Sequence, residues 1–261
     1  VELFKVGDKV IYAGDITRPG CYASHQLVDE RLVGKKPNSL SSTEAAVLPL
    51  TSITAWEALF SRLKILADID AGKTILIIGA AGGVGSIAIQ LAKTIAKLNV
   101  VATASRSESQ QWCHDLGADH VISYHGDMLK NYRALAIDDP DYILCLSDTD
   151  HYFSIMAELI AAQGLICTIV GSKENHDLDC LKSKSAGLVW EFMFTRPMFK
   201  TKDMITQHHL LNTVSQLVDD GIITSTLTET IGPITAENID NAHQKLLSGQ
   251  TIGKLALTAI E

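Results

Sequence analysis

The residues of this 261-residue chain whose types and spacing could do chemistry begin at the turn Gly79-Ala80-Ala81-Gly82-Gly83-Val84-Gly85. Small side chains at Ala80, Ala81, Gly82 and Gly83 would let the backbone approach a pyrophosphate closely. The first turn of a following helix would then offer it unsatisfied N–H groups and positive charge. The pattern Ala80-x-Gly82-x-x-Gly85 departs from G-x-G-x-x-G only at its first position. Alone, such a pattern is weak. Here it follows the apolar run Thr74–Gly79, opens the best helical periodicity in the chain, and leads to a second strand about twenty residues on. The chemistry implied is the holding of a dinucleotide for hydride transfer.

The end of that second strand decides which dinucleotide fits, because an Asp or Glu there would take the ribose 2′-OH and repel a 2′-phosphate. The chain instead reads Ala104-Ser105-Arg106. A hydroxyl and a guanidinium suit a phosphate, so NADPH is expected over NADH, although a solvated surface arginine would read the same way.

No other constellation emerges from spacing. His208 and His209 are adjacent and would project about 100° apart on a helix, so they cannot share an ion and are expected at the surface. The remaining histidines are scattered singly. The five cysteines, Cys21, Cys113, Cys145, Cys167 and Cys180, include no CxxC pair. Cys145 and Cys167 lie in apolar runs and Cys113 on a helical segment, so these three read as core.

The elements that must position the turn alternate between short β-branched runs and helical periodicity, the mark of an α/β protein with a parallel sheet. Strands are expected at Thr74–Gly79, Asn99–Thr103, His120–Ser123, Tyr142–Leu146, Leu165–Val170 and Leu188–Phe194. Between the first two, Val84, Ile87, Ala88, Leu91, Ala92 and Ile95 repeat at the spacing of one buried helix face. Further helices are expected at Glu108–Leu116, Met128–Ala136, His151–Ala162, Asp203–Asp220 and Ala236–Ser248. Residues 1–33 read as short strands of a barrel, and a last strand, Lys254–Thr258, is expected to rejoin that segment.

A formal charge of −8 argues against a nucleic-acid or anionic-membrane partner, each of which calls for a basic surface. The longest apolar runs fall well short of the roughly 20 residues that span a bilayer. With no secretory pattern at the first residues, a cytoplasmic location is expected.

The segments GAAGGVGSIAIQLAK, VVATASR, LGADHVI, LKSKSAGLVWEFMFTR and SGQTIGKLAL together resemble the medium-chain dehydrogenase/reductase superfamily, over the whole chain. The sequence is most similar to its quinone-oxidoreductase-like branch, whose members are often labelled zinc-type alcohol dehydrogenase-like. That resemblance implies a Rossmann six-stranded parallel sheet plus a partial GroES-like β-barrel domain, divided as 1–51 barrel, 52–195 Rossmann and 196–261 return to the barrel. It also implies that roughly the first quarter of the family's length, with the groups that hydrogen-bond substrate, precedes Val1. A homodimer joined through the strand 187–195 is expected on the same ground.

The resemblance places Leu50 where zinc enzymes carry a cysteine ligand, and leucine binds no metal; neither a catalytic nor a structural zinc is expected. By the same carry-over Thr54 lies near the nicotinamide, Val84 backs its ring and Tyr124 helps hold the adenosine phosphate. Phe192 and Phe194 wall the cofactor or substrate, and Lys254 contacts the cofactor. A helix-surface hydroxyl would also account for Thr54, core packing for Val84 and Tyr124, a subunit interface for the two phenylalanines, and a position flanking a strand for Lys254. The implied activity is hydride transfer from NADPH to a small-molecule electrophile, a quinone or an α,β-unsaturated carbonyl (enone). A zinc-type alcohol dehydrogenase or a non-catalytic NADPH-binding protein are the alternatives.

Overall fold

The computed structural model describes residues 1–20 and 22–259, so Cys21 lies outside the described residues. The chain forms two compact units, Val1–Thr54 with Phe192–Glu261, and Ala55–Glu191. It crosses between them after Thr54 and again after Glu191, against expected boundaries at 51/52 and 195/196.

The first unit opens with β1 (Val10–Tyr12), which pairs antiparallel with β2 (Val33–Lys35) in the register Ile11↔Gly34. Among the described residues, β1 is the one strand within residues 1–32, so the expected series of short strands there is corrected to one strand and largely irregular chain. Two short helices follow, α1 (Ser42–Ala46), closed by a Ser41/Glu44 capping box, and α2 (Pro49–Trp56). Past α2 the chain widens into a π-helical turn over Glu57–Arg62, in which Leu63 N donates to Ala58 O at 2.9 Å.

In the second unit six strands form one parallel sheet: β3 (Thr74–Ile78), β4 (Asn99–Thr103), β5 (His120–Ile122), β6 (Tyr142–Cys145), β7 (Leu165–Thr168) and β8 (Gly187–Trp190). Their spatial order is β5-β4-β3-β6-β7-β8. β3 lies in its middle, buried at all five positions as a sheet covered on both faces demands. The crossovers are helices α3 (Gly83–Thr94), α4 (Ser107–Asp115), α5 (Met128–Arg133) and α6 (Thr149–Leu159). This is the Rossmann order, and it reverses direction between β3 and β6, where such folds bind ligands at the carboxyl ends of their strands.

The last strand stops four residues earlier than its alternating apolar pattern suggests. Glu191 N still donates to Thr168 O at 3.0 Å, but Thr195 N then bends back to Phe192 O at 2.9 Å. That turn leads into α7 (Thr195–Phe199), so Phe192 and Phe194 lie beyond the sheet.

The rest of the first unit comprises α8 (Thr206–Asp219), β9 (Leu227–Pro233), α9 (Ala236–Leu247) and β10 (Lys254–Thr258). α8 lies hard against β2: a Cβ on Gly34 would stand 2.4 Å from Leu211 Cβ. Lys35 N donates to Asn212 Oδ1 at 2.8 Å, and His208 Nδ1 sits 2.6 Å from the Val33 carbonyl oxygen. His208 is therefore a half-buried packing residue rather than the surface residue expected. β10 pairs parallel with β9, which the sequence did not reveal, and not with the first segment as expected. Among the described residues, β1–β2 and β9–β10 are the strand pairs of this unit, where the resemblance implies a partial barrel.

Candidate dinucleotide site

Gly79 ends β3 with φ +79°, a left-handed conformation that only glycine adopts without strain. Its N–H donates to Thr103 Oγ1 at 3.0 Å, a buried hydroxyl at the end of β4, and Gly82 N returns to Gly79 O at 3.3 Å. The turn is thus tied to the neighbouring strand and closed on itself. Ala80 is fully buried, and a Cβ on Gly85 would stand 2.3 Å from its carbonyl oxygen. Glycine at 85 is what allows α3 to begin directly against the turn.

The N-cap of α3 is Gly82, which brings no side-chain acceptor, so the helix enters with its first N–H groups uncapped by any side chain of that residue. Ser86 Oγ donates to Gly82 O at 2.8 Å and receives Trp112 Nε1 at 2.8 Å, which fixes α4 against α3. Across the switch point, Leu146 N donates to Ile78 O at 3.0 Å, and a Cβ on Gly79 would meet Ser147 Cβ at 3.4 Å. The ends of β4 and β6 therefore flank the turn from both sides.

At the end of β4 the Ser105 hydroxyl oxygen is buried with no hydrogen-bond partner. Buried hydroxyls are normally satisfied, so this one has capacity for an incoming acceptor or donor. Half-buried Arg106 follows it and opens α4, its backbone N–H donating to Ser109 Oγ at 3.2 Å. No carboxylate side chain stands at positions 104 to 106. Tyr124, two residues past β5, is half-buried, packs against the core of the unit and lies 4.8 Å from the His125 ring.

Beyond β6 and β7 a hollow is lined by Ser147, Asp148, Asp150, His151, Val170 and Lys173. Asp150 orders its rim by accepting from Ser172 Oγ at 2.5 Å, Lys173 N at 2.9 Å and His176 Nε2 at 2.7 Å. These donors hold its carboxyl far below the ordinary carboxylate range. A wider hollow, about 1200 Å³, opens at the opposite strand ends, among Lys73, Thr74, Asn99, His120, Arg133 and Asp141. Neither the glycine turn nor a helix N-terminus faces that end, so a dinucleotide belongs at the carboxyl edge.

Ala80, Ala81, Gly82, Gly83, Val84, Ser105, Arg106 and Tyr124 all belong to the unit Ala55–Glu191. Thr54, Phe192, Phe194 and Lys254 belong to the other. There, Thr54 Oγ1 donates to Leu50 O at 2.8 Å, and the Phe192 and Phe194 rings meet edge-on at 5.6 Å. Lys254 is partly buried on β10, and desolvation pulls its amine below the usual lysine range. Spacing gave no hint of Thr103 or Leu146–Ser147, whose positions at strand ends are fixed only by sheet order.

Among the described residues no group of three His, Cys, Asp or Glu side chains is disposed to hold a metal ion. Leu50 is 42% exposed on α2 and supplies nothing. The described residues do not fit a zinc site.

The unit Ala55–Glu191 is by its topology and turn a Rossmann dinucleotide-binding domain. Residues 83–200 match the family model described as zinc-binding dehydrogenase. A zinc-type alcohol dehydrogenase-like protein of Staphylococcus aureus (strain MSSA476) is 44% identical over 259 residues, covering 98% of this chain and 77% of the relative. A crystal structure of a candidate zinc-dependent alcohol dehydrogenase from Rhizobium etli CFN 42 superposes with a TM-score of 0.95 at 46% identity, over 100% of this chain and 76% of that one. A 2-methylene-furan-3-one reductase of Solanum lycopersicum is 41% identical over 132 residues, 48% of this chain and 32% of the relative. The chain belongs to the medium-chain dehydrogenase/reductase superfamily, with the zinc-type alcohol dehydrogenase-like proteins, and is an oxidoreductase. Among the described residues no helix is long and apolar enough to cross a membrane.

Proposed function

We propose that this oxidoreductase uses NADPH, without zinc, to reduce a quinone or an α,β-unsaturated carbonyl. The observation that carries the cofactor reading is the buried, unpartnered Ser105 hydroxyl beside Arg106, at a strand end with no carboxylate. When bound, NADPH supplies the hydride. The uncapped start of α3 and the small residues Ala80 to Gly83 receive the pyrophosphate. Ser105 and Arg106 receive the 2′-phosphate, with Tyr124 beside the adenosine half. Within the same unit, Val84 is proposed to back the nicotinamide ring.

The acceptor class follows from the donor set. Without a metal to polarise an oxygen, an already electrophilic acceptor asks least of the protein. The 2-methylene-furan-3-one reductase supports this, since the compound in its name is such an enone. We further propose a homodimer joined through β8, the edge strand of the sheet, where an unpaired ladder and Trp190, 47% exposed, invite a second copy.

Stopped assays with purified chain test the reading: NADPH oxidation against a panel of quinones and enones, with NADH in parallel and zinc content measured. Turnover with NADPH on part of the panel is expected. Tight NADPH binding with no turnover would replace it with a binding protein, and stoichiometric zinc with alcohol oxidation would replace it with an alcohol dehydrogenase.

A further inference from the structure

Trp112 on α4 and Ser86 in the first turn of α3 lie 26 residues apart in the chain, yet Trp112 Nε1 stands 2.8 Å from Ser86 Oγ. An indole N–H can only donate. Ser86 Oγ therefore accepts from Trp112, and its own single proton goes to the Gly82 carbonyl oxygen, 2.8 Å away. The line of bonds runs one way, from Trp112 through Ser86 to Gly82. Ser86 is fully buried, where little water competes for its hydroxyl and each bond in such a line polarises the next.

What the line fixes is a peptide plane. Gly82 O also accepts from Ser86 N at 2.8 Å, so two donors of one residue aim that carbonyl along α3. The peptide unit is planar and trans, so holding Gly82 O inward holds Gly83 N–H outward. Gly83 is the first residue of α3, where no carbonyl of the helix can meet its N–H. Two successive glycines have no Cβ to restrict their backbone, so the restraint on this plane comes from its hydrogen bonds. Trp112 itself is anchored, because Arg106 opens its helix and Gln110 Nε2 ties that helix to the end of β4 by donating to Ala104 O at 3.2 Å.

Resting on the dinucleotide reading given above, we propose that Trp112 is a positioning residue for the cofactor: through Ser86 it holds the Gly82–Gly83 peptide plane so that Gly83 N–H is aimed at the pyrophosphate. The pyrophosphate is common to NADPH and NADH. Trp112 therefore acts on the two alike, whereas Arg106 acts on the 2′-phosphate alone.

The test compares wild type, Trp112→Phe, Ser86→Ala and the double variant, each as the full chain labelled with ¹³C and ¹⁵N. NMR without cofactor follows the Gly82 carbonyl carbon and the Gly83 amide nitrogen, and calorimetric titration measures NADPH and NADH. Trp112→Phe removes the N–H and keeps an aromatic ring. Ser86→Ala removes the hydroxyl and changes no ring, so it serves alone where Trp112→Phe does not fold. Each single variant is expected to shift both Gly82 and Gly83 signals and to raise both dissociation constants by about 3–10-fold, the range of one neutral hydrogen bond. The double variant should bind no more weakly than Ser86→Ala, since the two substitutions cut one line. An unmoved Gly83 signal or unchanged dissociation constants in Ser86→Ala would overturn the positioning role and leave the dinucleotide site standing. So would a loss confined to NADPH, or losses that multiply in the double variant. Wild type that binds neither cofactor would instead overturn the dinucleotide reading, and the positioning role with it.

Discussion

Gly85 lies so close beneath Ala80 that a Cβ added to it would stand 2.3 Å from the Ala80 carbonyl oxygen and 2.6 Å from its carbonyl carbon. Backbone, not a flexible side chain, fills that space, so an alanine must push α3 away from the end of β3. Gly85→Ala should lower stability by about 1–3 kcal/mol, the usual cost of overpacking, and should weaken dinucleotide binding because the helix N-terminus moves with it. Gly171→Ala is the control, since nothing stands within 4 Å of its added Cβ; it should stay within about 0.5 kcal/mol. Urea unfolding and cofactor fluorescence titration read both. Equal behaviour of the two variants would mean that the close approach positions nothing.

That contact also marks how far the sequence could be read. The turn from 79 to 85 was legible because three local signals agreed there: an apolar strand, small residues at fixed offsets and a 3.6-residue period. The sheet order put Thr103 and Ser147 beside the turn, and no local pattern encodes that. β9 escaped notice because its Thr228-Glu229-Thr230 stretch is exposed and its apolar alternation weak. Phe192 and Phe194 read as strand because Trp190, Phe192 and Phe194 alternate, yet the chain turns at Phe192 to begin α7. The ion pair of Arg62 Nε with Glu191 Oε2, at 2.8 Å, was invisible for a different reason: the two residues lie 129 positions apart.

In the first unit Asp219 joins the end of α8 to the segment before α1, accepting from Asn38 N at 3.0 Å, Asn38 Nδ2 at 3.1 Å, Ser39 N at 2.8 Å and Ser39 Oγ at 2.7 Å. These four donors push its carboxyl down to about 2 from an ordinary 3.8. A folded value below the unfolded one gives stability that is present above the unfolded value and lost as pH falls through the folded one. The difference in unfolding midpoint between wild type and Asp219→Asn should therefore be largest above about pH 5 and shrink toward about pH 2. A difference that stays constant across this range would assign the effect to packing instead.

Three thiols are closed to chemistry by their surroundings. Cys113 on α4 and Cys167 on β7 are pushed up to about 12 by burial, and Cys145 on β6 to about 11. Cys180 is exposed, its Sγ donating to Asp177 O at 2.9 Å. In a Cys21→Ser background a thiol-labelling reagent should modify one cysteine promptly and the other three only on unfolding. Peptide mapping identifies the site. Prompt labelling of Cys145 or Cys167 would show that the sheet opens locally far more readily than its burial suggests.

The proposed preference for NADPH rests on two adjacent residues, Ser105 and Arg106, and the two can be made to argue in opposite directions. Charged hydrogen bonds contribute about 1.5–3 kcal/mol each, so Arg106→Ala should raise the NADPH dissociation constant by about 10–100-fold. NADH, which lacks the 2′-phosphate, should bind that variant about as it binds the wild type. Ser105→Asp goes further: it puts a carboxylate at the strand end where NAD-binding Rossmann domains take the ribose hydroxyls, repelling the phosphate while accepting from the 2′-OH. The ratio of the two dissociation constants should then fall and reverse in the double variant. Calorimetric titration of both cofactors against the three variants measures it directly. If NADPH and NADH weaken together in Arg106→Ala, the arginine braces α4 and does not read the phosphate, and the selectivity assigned to Ser105 and Arg106 would have to be abandoned.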